Sequence, residues 1–283
     1  MFTYTSNQFQ EIIDFMLKEA KRRGASDAVA EVSEGQGLSV TVRKGEVETI
    51  EQSLDKQVGV TVFLGHHRGN ASTSDFSKES LKATVDAAYH IAQHTAEDNC
   101  AGPAERELLE KNPLDLDLFH SWNIDAAHAV EIARTAEGAA FSVSKQIKNS
   151  DGASVSAHHA HFMMGTSHGF MGGYPFSRHY ISCAPIANAG GKKGHMQRDD
   201  WYSSSRIPGE LADPAAIGSY AAQRALSRLN ARSLSTRRCP VIFEAPLAAG
   251  LLGGLVQAIS GGALYRRSSF LLDSLGKQVL PKH

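Results

Sequence analysis

Residues 38–64 run LSVTVRKGEVETIEQSLDKQVGVTVFL. Leu38, Val40 and Val42 alternate with Ser39, Thr41 and Arg43, the two-residue period of a strand with one buried face. Lys44-Gly45 is turn chemistry, and residues 46–53 bring the chain back. Val58, Val60, Val62 and Leu64 then repeat the alternation, and past Gly65-His66-His67-Arg68-Gly69 a short strand is expected over 70–74. Strands joined this closely predict an antiparallel sheet.

Both flanks of this stretch read as helices. Over 7–23, Ile12, Ile13, Met16, Leu17 and Ala20 recur at helical spacing, residues 21–23 are basic where the helix dipole is negative, and Gly24 can end it. Over 78–94 a second helix starts from the N-cap Ser77, with Phe76 and Leu81 at hydrophobic-staple spacing. Helix, strands and helix make a compact α+β unit ending near Asp98.

Residues 99–123, with Gly102-Pro103, Asn112-Pro113 and a Leu–Asp alternation, read as a boundary, so the first domain is expected to span 1–123 and a second 124–236. The second opens on a helix over 126–143, marked by Ala129, Val130, Ala133 and Ala136. Ser150-Asp151-Gly152-Ala153 reads as a turn between strands over 146–149 and 154–163. Further strands are expected over 166–171, 177–186 and 195–203, joined by Gly172-Gly173 and the loop 188–194 into an antiparallel meander. Asp213-Pro214 starts a helix reaching about Asn230. A buried strand is expected over 240–243. Residues 245–265 carry no charge, but Leu251, Leu252, Leu255, Val256 and Ile259 fall at helical spacing among small residues, which favours a tightly packed helix over a membrane span.

The composition limits the function. Of 283 residues, 42% are hydrophobic and 21% charged, enough for a real core. A net charge of -1, from 29 basic and 30 acidic residues, argues against a dedicated nucleic-acid surface. Cys100, Cys183 and Cys239 are odd in number and far apart, and the N-terminus shows no signal-peptide pattern. Both observations point to a reducing, cytoplasmic setting.

Candidate chemistry is sparse. His90 and His94 stand four apart on a predicted helix, the spacing of a metallopeptidase pair, but Ile91 occupies the place of its general base. His158, His159 and His161 cluster on a predicted strand, with His159 and His161 on one face. Two such ligands begin a zinc site without completing it. His66-His67 is a weaker pair. Residues 190–195, Gly-Gly-Lys-Lys-Gly-His, lack the spacing and the Ser or Thr of a phosphate loop and read as a basic loop of the meander, with contact to an acidic partner through Lys192 to Arg198 as the alternative. No Gly-x-Ser-x-Gly elbow occurs, and no cysteine has the local context of a catalytic thiol.

Residues 239–280, CPVIFEAPLAAGLLGGLVQAISGGALYRRSSFLLDSLGKQVL, resemble the PmbA/TldD family, known as metallopeptidases and modulators of DNA gyrase. The runs 265–270 and 273–277 carry most of the resemblance, supported by residues 43–48, Gly59-Val60 and Ser150-Asp151-Gly152. It implies that 237–283 is the start of a β-rich C-terminal domain, truncated before its end. It also implies a two-subunit zinc peptidase, whose catalytic member carries His-Glu-x-x-x-His on the helix before the Arg-Arg run. Here the matching positions are Gly253-Gly254-Leu255-Val256-Gln257-Ala258. The chain therefore resembles the non-catalytic, TldE-like subunit of a cytosolic hydrolase complex, with no catalytic or metal residue of its own and zinc expected in the partner.

The implied partners are a TldD-like catalytic subunit and an unfolded peptide substrate, held by strand addition at exposed edges of the meander. A homodimer is possible, and neither membrane nor direct nucleic-acid contact is expected. The implied roles are peptide maturation and antitoxin degradation. Arg266 and Arg267 are the residues expected to line the shared cavity or interface. The alternative is a regulatory binding protein, a modulator of DNA gyrase without a peptidase role. A zinc enzyme built on the His158–His161 cluster is a third reading.

Overall fold

The computed structural model describes residues 2–190 and 195–282, in two compact units, 1–231 and 232–283. The first unit is an antiparallel α+β fold. Its order is α1 (Ser6–Arg22), β1 (Asp27–Arg43), β2 (Glu46–Leu64), β3 (His67–Thr73), α2 (Lys78–His94), α3 (Ala126–Val143), β4 (Ile147–Thr166), β5 (Met171–Asn188), β6 (Met196–Arg198), β7 (Trp201–Ser205) and α4 (Pro214–Ser227). The seven strands form one sheet, β3-β2-β1-β4-β5-β6, with β7 also on β5. β1 pairs with β4, so the sheet runs through both the N-terminal strands and the meander.

Alternation along β1 explains the layering. Ala28, Ala30, Val32, Leu38, Val40 and Val42 are all buried and share one face. At one end this face meets Phe9, Ile13 and Met16 of α1 and Leu81, Val85 and Ala88 of α2. At the other it meets the alanine-rich faces of α3 and α4. Each helix starts on a side-chain cap: Thr5, Ser77, Asp125 and Asp213 accept backbone N–H bonds from the first turns of α1, α2, α3 and α4. The hairpin turn between β1 and β2, where Lys44 and Gly45 have φ of 54° and 77°, is tied down from α3. The buried Glu137 carboxylate accepts the N–H groups of Lys44 and Gly45 at 2.9 and 2.8 Å.

Four strand expectations are corrected. Ser150–Gly152 does not turn the chain but forms a bulge inside the continuous β4, where the register against β5 shifts between Ser150 and Ala153. Gly152 absorbs the extra residue at φ 112° while β1 pairs with β4 from Ala153 onward. Residues 166–171 are largely the reversal itself, closed by Thr166 N–H on the Phe170 carbonyl at 3.0 Å, and Gly172-Gly173 lies inside β5. Residues 195–203 break at Asp199-Asp200 into β6 and the start of β7. Residues 240–243 form no strand, and Ile242 is 97% exposed. Among the described residues nothing offers them a ladder, without which extended backbone gains no hydrogen bonds.

The second unit holds α5 (Ala245–Ile259) and α6 (Gly261–Tyr265). The apolar stripe expected to be tightly packed is open, with Leu251, Leu252, Val256 and Ile259 all more than half exposed. Two short helices and coil supply no opposing apolar surface for it. Among the described residues no helix is long and apolar enough to cross a membrane.

α3 and α4 approach backbone to backbone at Gly218, where a Cβ would lie 1.8 Å from the Ala136 carbonyl oxygen. We expect Gly218→Ala to cost about 2 kcal/mol by forcing the helices apart. Gly209→Ala, with nothing within 4 Å, should be neutral. Urea unfolding of both variants checks this, and an unchanged midpoint for Gly218→Ala would refute the close crossing.

Candidate functional site

Between the two cores the helix-covered face of the sheet turns polar. Glu34 and Gln36 of β1, His159 and His161 of β4, and Ser177 and His179 of β5 occupy the positions where apolar residues stand further along. α1 reaches this seam through Phe9. Two segments outside helix and strand also cross it, residues 2–4 and 118–123, and their backbone polar groups need partners.

The seam side chains supply them. Glu34 accepts from the N–H groups of Thr3 and Tyr4 and stands 3.3 Å from His161 Nε2. Burial alone would raise the Glu34 carboxyl, but the Thr3 and Tyr4 donors outweigh it and hold it below the usual range. The His161 ring is stacked between Phe2 and Phe9, at 4.1 and 4.3 Å. Across the seam, His120 N–H donates to Ser177 Oγ at 2.9 Å, and His179 Nε2–H donates to the His120 carbonyl at 2.9 Å. Trp122 N–H donates to His159 Nε2 at 3.1 Å.

The last bond requires His159 to be neutral at Nε2. Burial, with the neighbouring His179 adding to it, lowers its pKa to about 4. His179 is lowered in the same direction, chiefly by burial. His159 and His161 do share a face, as their spacing predicts, but His159 accepts from the Trp122 backbone whereas His161 stands on the Glu34 carboxylate that binds Thr3 and Tyr4. Among the described residues no group of three or more His, Cys, Asp or Glu is placed to hold a metal ion. Sequence reading overlooked Glu34, His120, Ser177 and His179. The available signal was polar residues in phase with an otherwise apolar alternation, as in Ser177, His179, Ile181 and Cys183.

The other sequence candidates stay apart. His90 and His94 are exposed on α2, where His90 contacts Gln93 at 3.1 Å. His67 Nδ1 bonds the Thr95 carbonyl at 2.7 Å, and His66 lies on the Ala101 carbonyl at 3.4 Å. Of the basic loop, Lys192 and Lys193 lie outside the described residues. Cys183 is buried, and that burial, with Glu137 nearby, pushes its thiol up to about 12, far from thiolate chemistry. In the second unit, Arg266 and Arg267 are exposed at the end of α6. Arg267 N–H bonds the Leu264 carbonyl and Ser268 N–H the Ala263 carbonyl, at 3.0 and 2.9 Å, a Schellman ending with Arg267 in the left-handed position at φ 54°.

Among the described residues of the first unit, no helix packs on the opposite face of the sheet. Two clefts of about 720 and 620 Å³ open on it and share Phe162 and Tyr174, a cross-strand pair stacked edge to face at 4.8 Å. Glu31 and Asp55 border the first cleft, while Asp115 and Asp117 border the second, beside Leu114, Leu116 and Phe170. The result is an aromatic floor between acidic ends. On the meander side, β6 and β7 occupy much of the β5 edge. The long free edge is that of β2, residues 46–57, which only β1 pairs.

A neutral, half-buried His159 contributes stability that is complete above its ordinary pKa near 6.5 and lost as pH falls through about 4. We expect resistance to urea to decline over that window, and His159→Gln, which keeps an acceptor for Trp122 but cannot titrate, to flatten the decline. Equal pH slopes for the two proteins would remove His159 as the cause.

Comparison with known proteins agrees along the whole chain. Family profiles described as PmbA/TldA metallopeptidase domain 1, central domain and C-terminal domain match residues 28–92, 119–229 and 236–283. Metalloprotease PmbA of Escherichia coli O157:H7 is 45% identical over 265 residues, covering 94% of this chain and 58% of that protein. The Haemophilus influenzae PmbA homolog is 42% identical, covering 97% and 60%. The chain thus spans somewhat under two thirds of the length of these relatives. Among solved structures, a Bacteroides thetaiotaomicron protein named for modulation of DNA gyrase superposes with a TM-score of 0.86 at 18% identity, covering 95% of this chain and 61% of that one. TldE from Thermococcus kodakarensis gives 0.62 at 14% identity, covering 78% and 47%. With three consecutive family profiles, close sequence relatives and a shared fold, this chain belongs to the PmbA/TldD metallopeptidase family.

Proposed function

We propose that this chain acts as the non-catalytic, TldE-like subunit of a cytoplasmic zinc metallopeptidase complex that cleaves unfolded peptides. The observation that carries this reading is the composition of α5. The six positions corresponding to the family's zinc helix are Gly253-Gly254-Leu255-Val256-Gln257-Ala258. They offer no imidazole to hold Zn²⁺ and no carboxylate to activate its water. A zinc ion does not fit there, so the hydrolytic chemistry falls to a partner subunit, and this chain's part is to bind and shape the substrate.

The aromatic-floored groove around Phe162 and Tyr174 suits an extended peptide, and its acidic ends favour basic side chains on it. Arg267 supports a role for the α6 ending. A left-handed position costs a non-glycine residue on the order of 1 kcal/mol. An arginine in that position points to work for its guanidinium at the shared cavity or subunit interface. The odd, scattered cysteines fit a reducing cytoplasm.

Co-purification with a TldD-like subunit tests this, with zinc quantified and a fluorescein-labelled unfolded peptide offered to each protein alone and to the mixture. We expect cleavage only by the mixture, with the zinc in the partner. Cleavage and stoichiometric zinc in this chain alone would overturn the assignment. Recovery of gyrase without any peptidase subunit would replace it with a gyrase-binding role. Arg266→Ala/Arg267→Ala should lower cleavage or complex yield, and an unchanged complex of full activity would exclude both arginines.

A further inference from the structure

We propose that the free edge of β2, residues 46–57, docks an extended segment of another polypeptide with alternating apolar and basic residues. β3 pairs β2 only from Val58 onward, whereas β1 pairs it from Glu46. Residues 46–57 therefore present an open row of backbone donors and acceptors, and every one of them is exposed. Such an edge is a template for another strand unless something blocks it. It holds no proline, and its one charge on the helix-covered face, Lys56 opposite Glu34, stands at the end next to β3.

The two faces of this edge differ. Val47, Ile50 and Leu54 oppose Val42, Val40 and Gln36 of β1, on the helix-covered side, and remain 42%, 51% and 69% exposed. Beside Leu54 a cleft of about 380 Å³ opens towards Trp122, Ile124 and Leu38, room for a large apolar side chain of an added strand. On the other side stand Glu51 and Asp55, opposite Ser39 and Gly35. Neither has an ion-pair partner among the described residues, and Glu46 also has none. The nearby Lys56 does not neutralise them; it lies on Tyr4 OH at 3.1 Å and over the Phe76 ring at 4.8 Å.

This pattern selects the occupant. Two copies pairing antiparallel about Ser53 would set Glu51 of each against Asp55 of the other, and like charges directly opposite are unfavourable. The edge thus disfavours its own copy in that register and accepts a strand with apolar residues on one face and lysine or arginine on the other. The inference concerns binding alone and stands whether or not the chain serves a peptidase.

The test is fluorescence anisotropy of a short fluorescein-labelled peptide of alternating lysine and valine, titrated with the full chain. We expect saturable binding that weakens with salt. Glu51→Lys/Asp55→Lys, and separately Glu51→Gln/Asp55→Asn, should each weaken it by about tenfold or more. N-methylation of alternate peptide nitrogens should abolish it. The proposal fails if a glutamate–valine peptide binds as well, if the N-methylated peptide still binds, if neither variant changes affinity, or if no saturable binding occurs at low salt. Self-association of the chain through this edge in sedimentation equilibrium would likewise overturn it.

Discussion

β1 is hydrogen-bonded on both sides along most of its length, to β2 from Asp27 to Arg43 and to β4 from Val29 to Val42. Because side chains alternate with a period of two, a slip of one residue would turn its whole apolar set outward. Two cores would lose a wall at once, since the cluster under α1 and α2 and the cluster under α3 and α4 both include residues of this face. The register of β1 therefore holds together parts of the chain that are far apart in sequence. The Glu137 carboxylate on the Lys44-Gly45 turn secures one end of that register.

A strand long enough to carry two helix pairs leaves a gap between them, and the gap explains the histidines. The segments crossing it bring backbone groups that no ladder satisfies, and a buried N–H or carbonyl without a partner costs about 1–3 kcal/mol. Imidazole suits this duty, because in its neutral form it has one donor and one acceptor. His159 accepts from Trp122 and His179 donates to His120. The chemistry that makes a histidine cluster look like a metal site is used here to fasten a linker to a sheet.

Much of the fold was legible in the sequence. The helices over about 78–94 and 126–143 were recognisable, the first from its cap Ser77 and both from apolar positions in helical phase. The strand alternation of residues 38–42 and 58–64 was equally clear. Less legible were the reversals of the meander. Ser150-Asp151-Gly152 has the composition of a turn, and whether such a sequence reverses the chain or bulges a strand depends on whether a neighbour continues past it. β1 does continue past it. The arginines of α6 could be singled out by resemblance, whereas the left-handed backbone at Arg267 follows from the Schellman bonds that end the helix.

The sequence by itself determined the helices of the first unit, the strand alternation of residues 38–42 and 58–64, the family and the lack of any imidazole or carboxylate at residues 253–258, because period, capping and residue identity are local properties. Tertiary structure alone decided that one sheet runs through both halves, that His159 and His179 bond the backbone of Trp122 and His120, and that residues 46–57 form a free edge. Each of these depends on which strand lies beside which. That neighbour can come from residues more than a hundred positions away, as Gly35 and Ala160 show by standing side by side in the sheet.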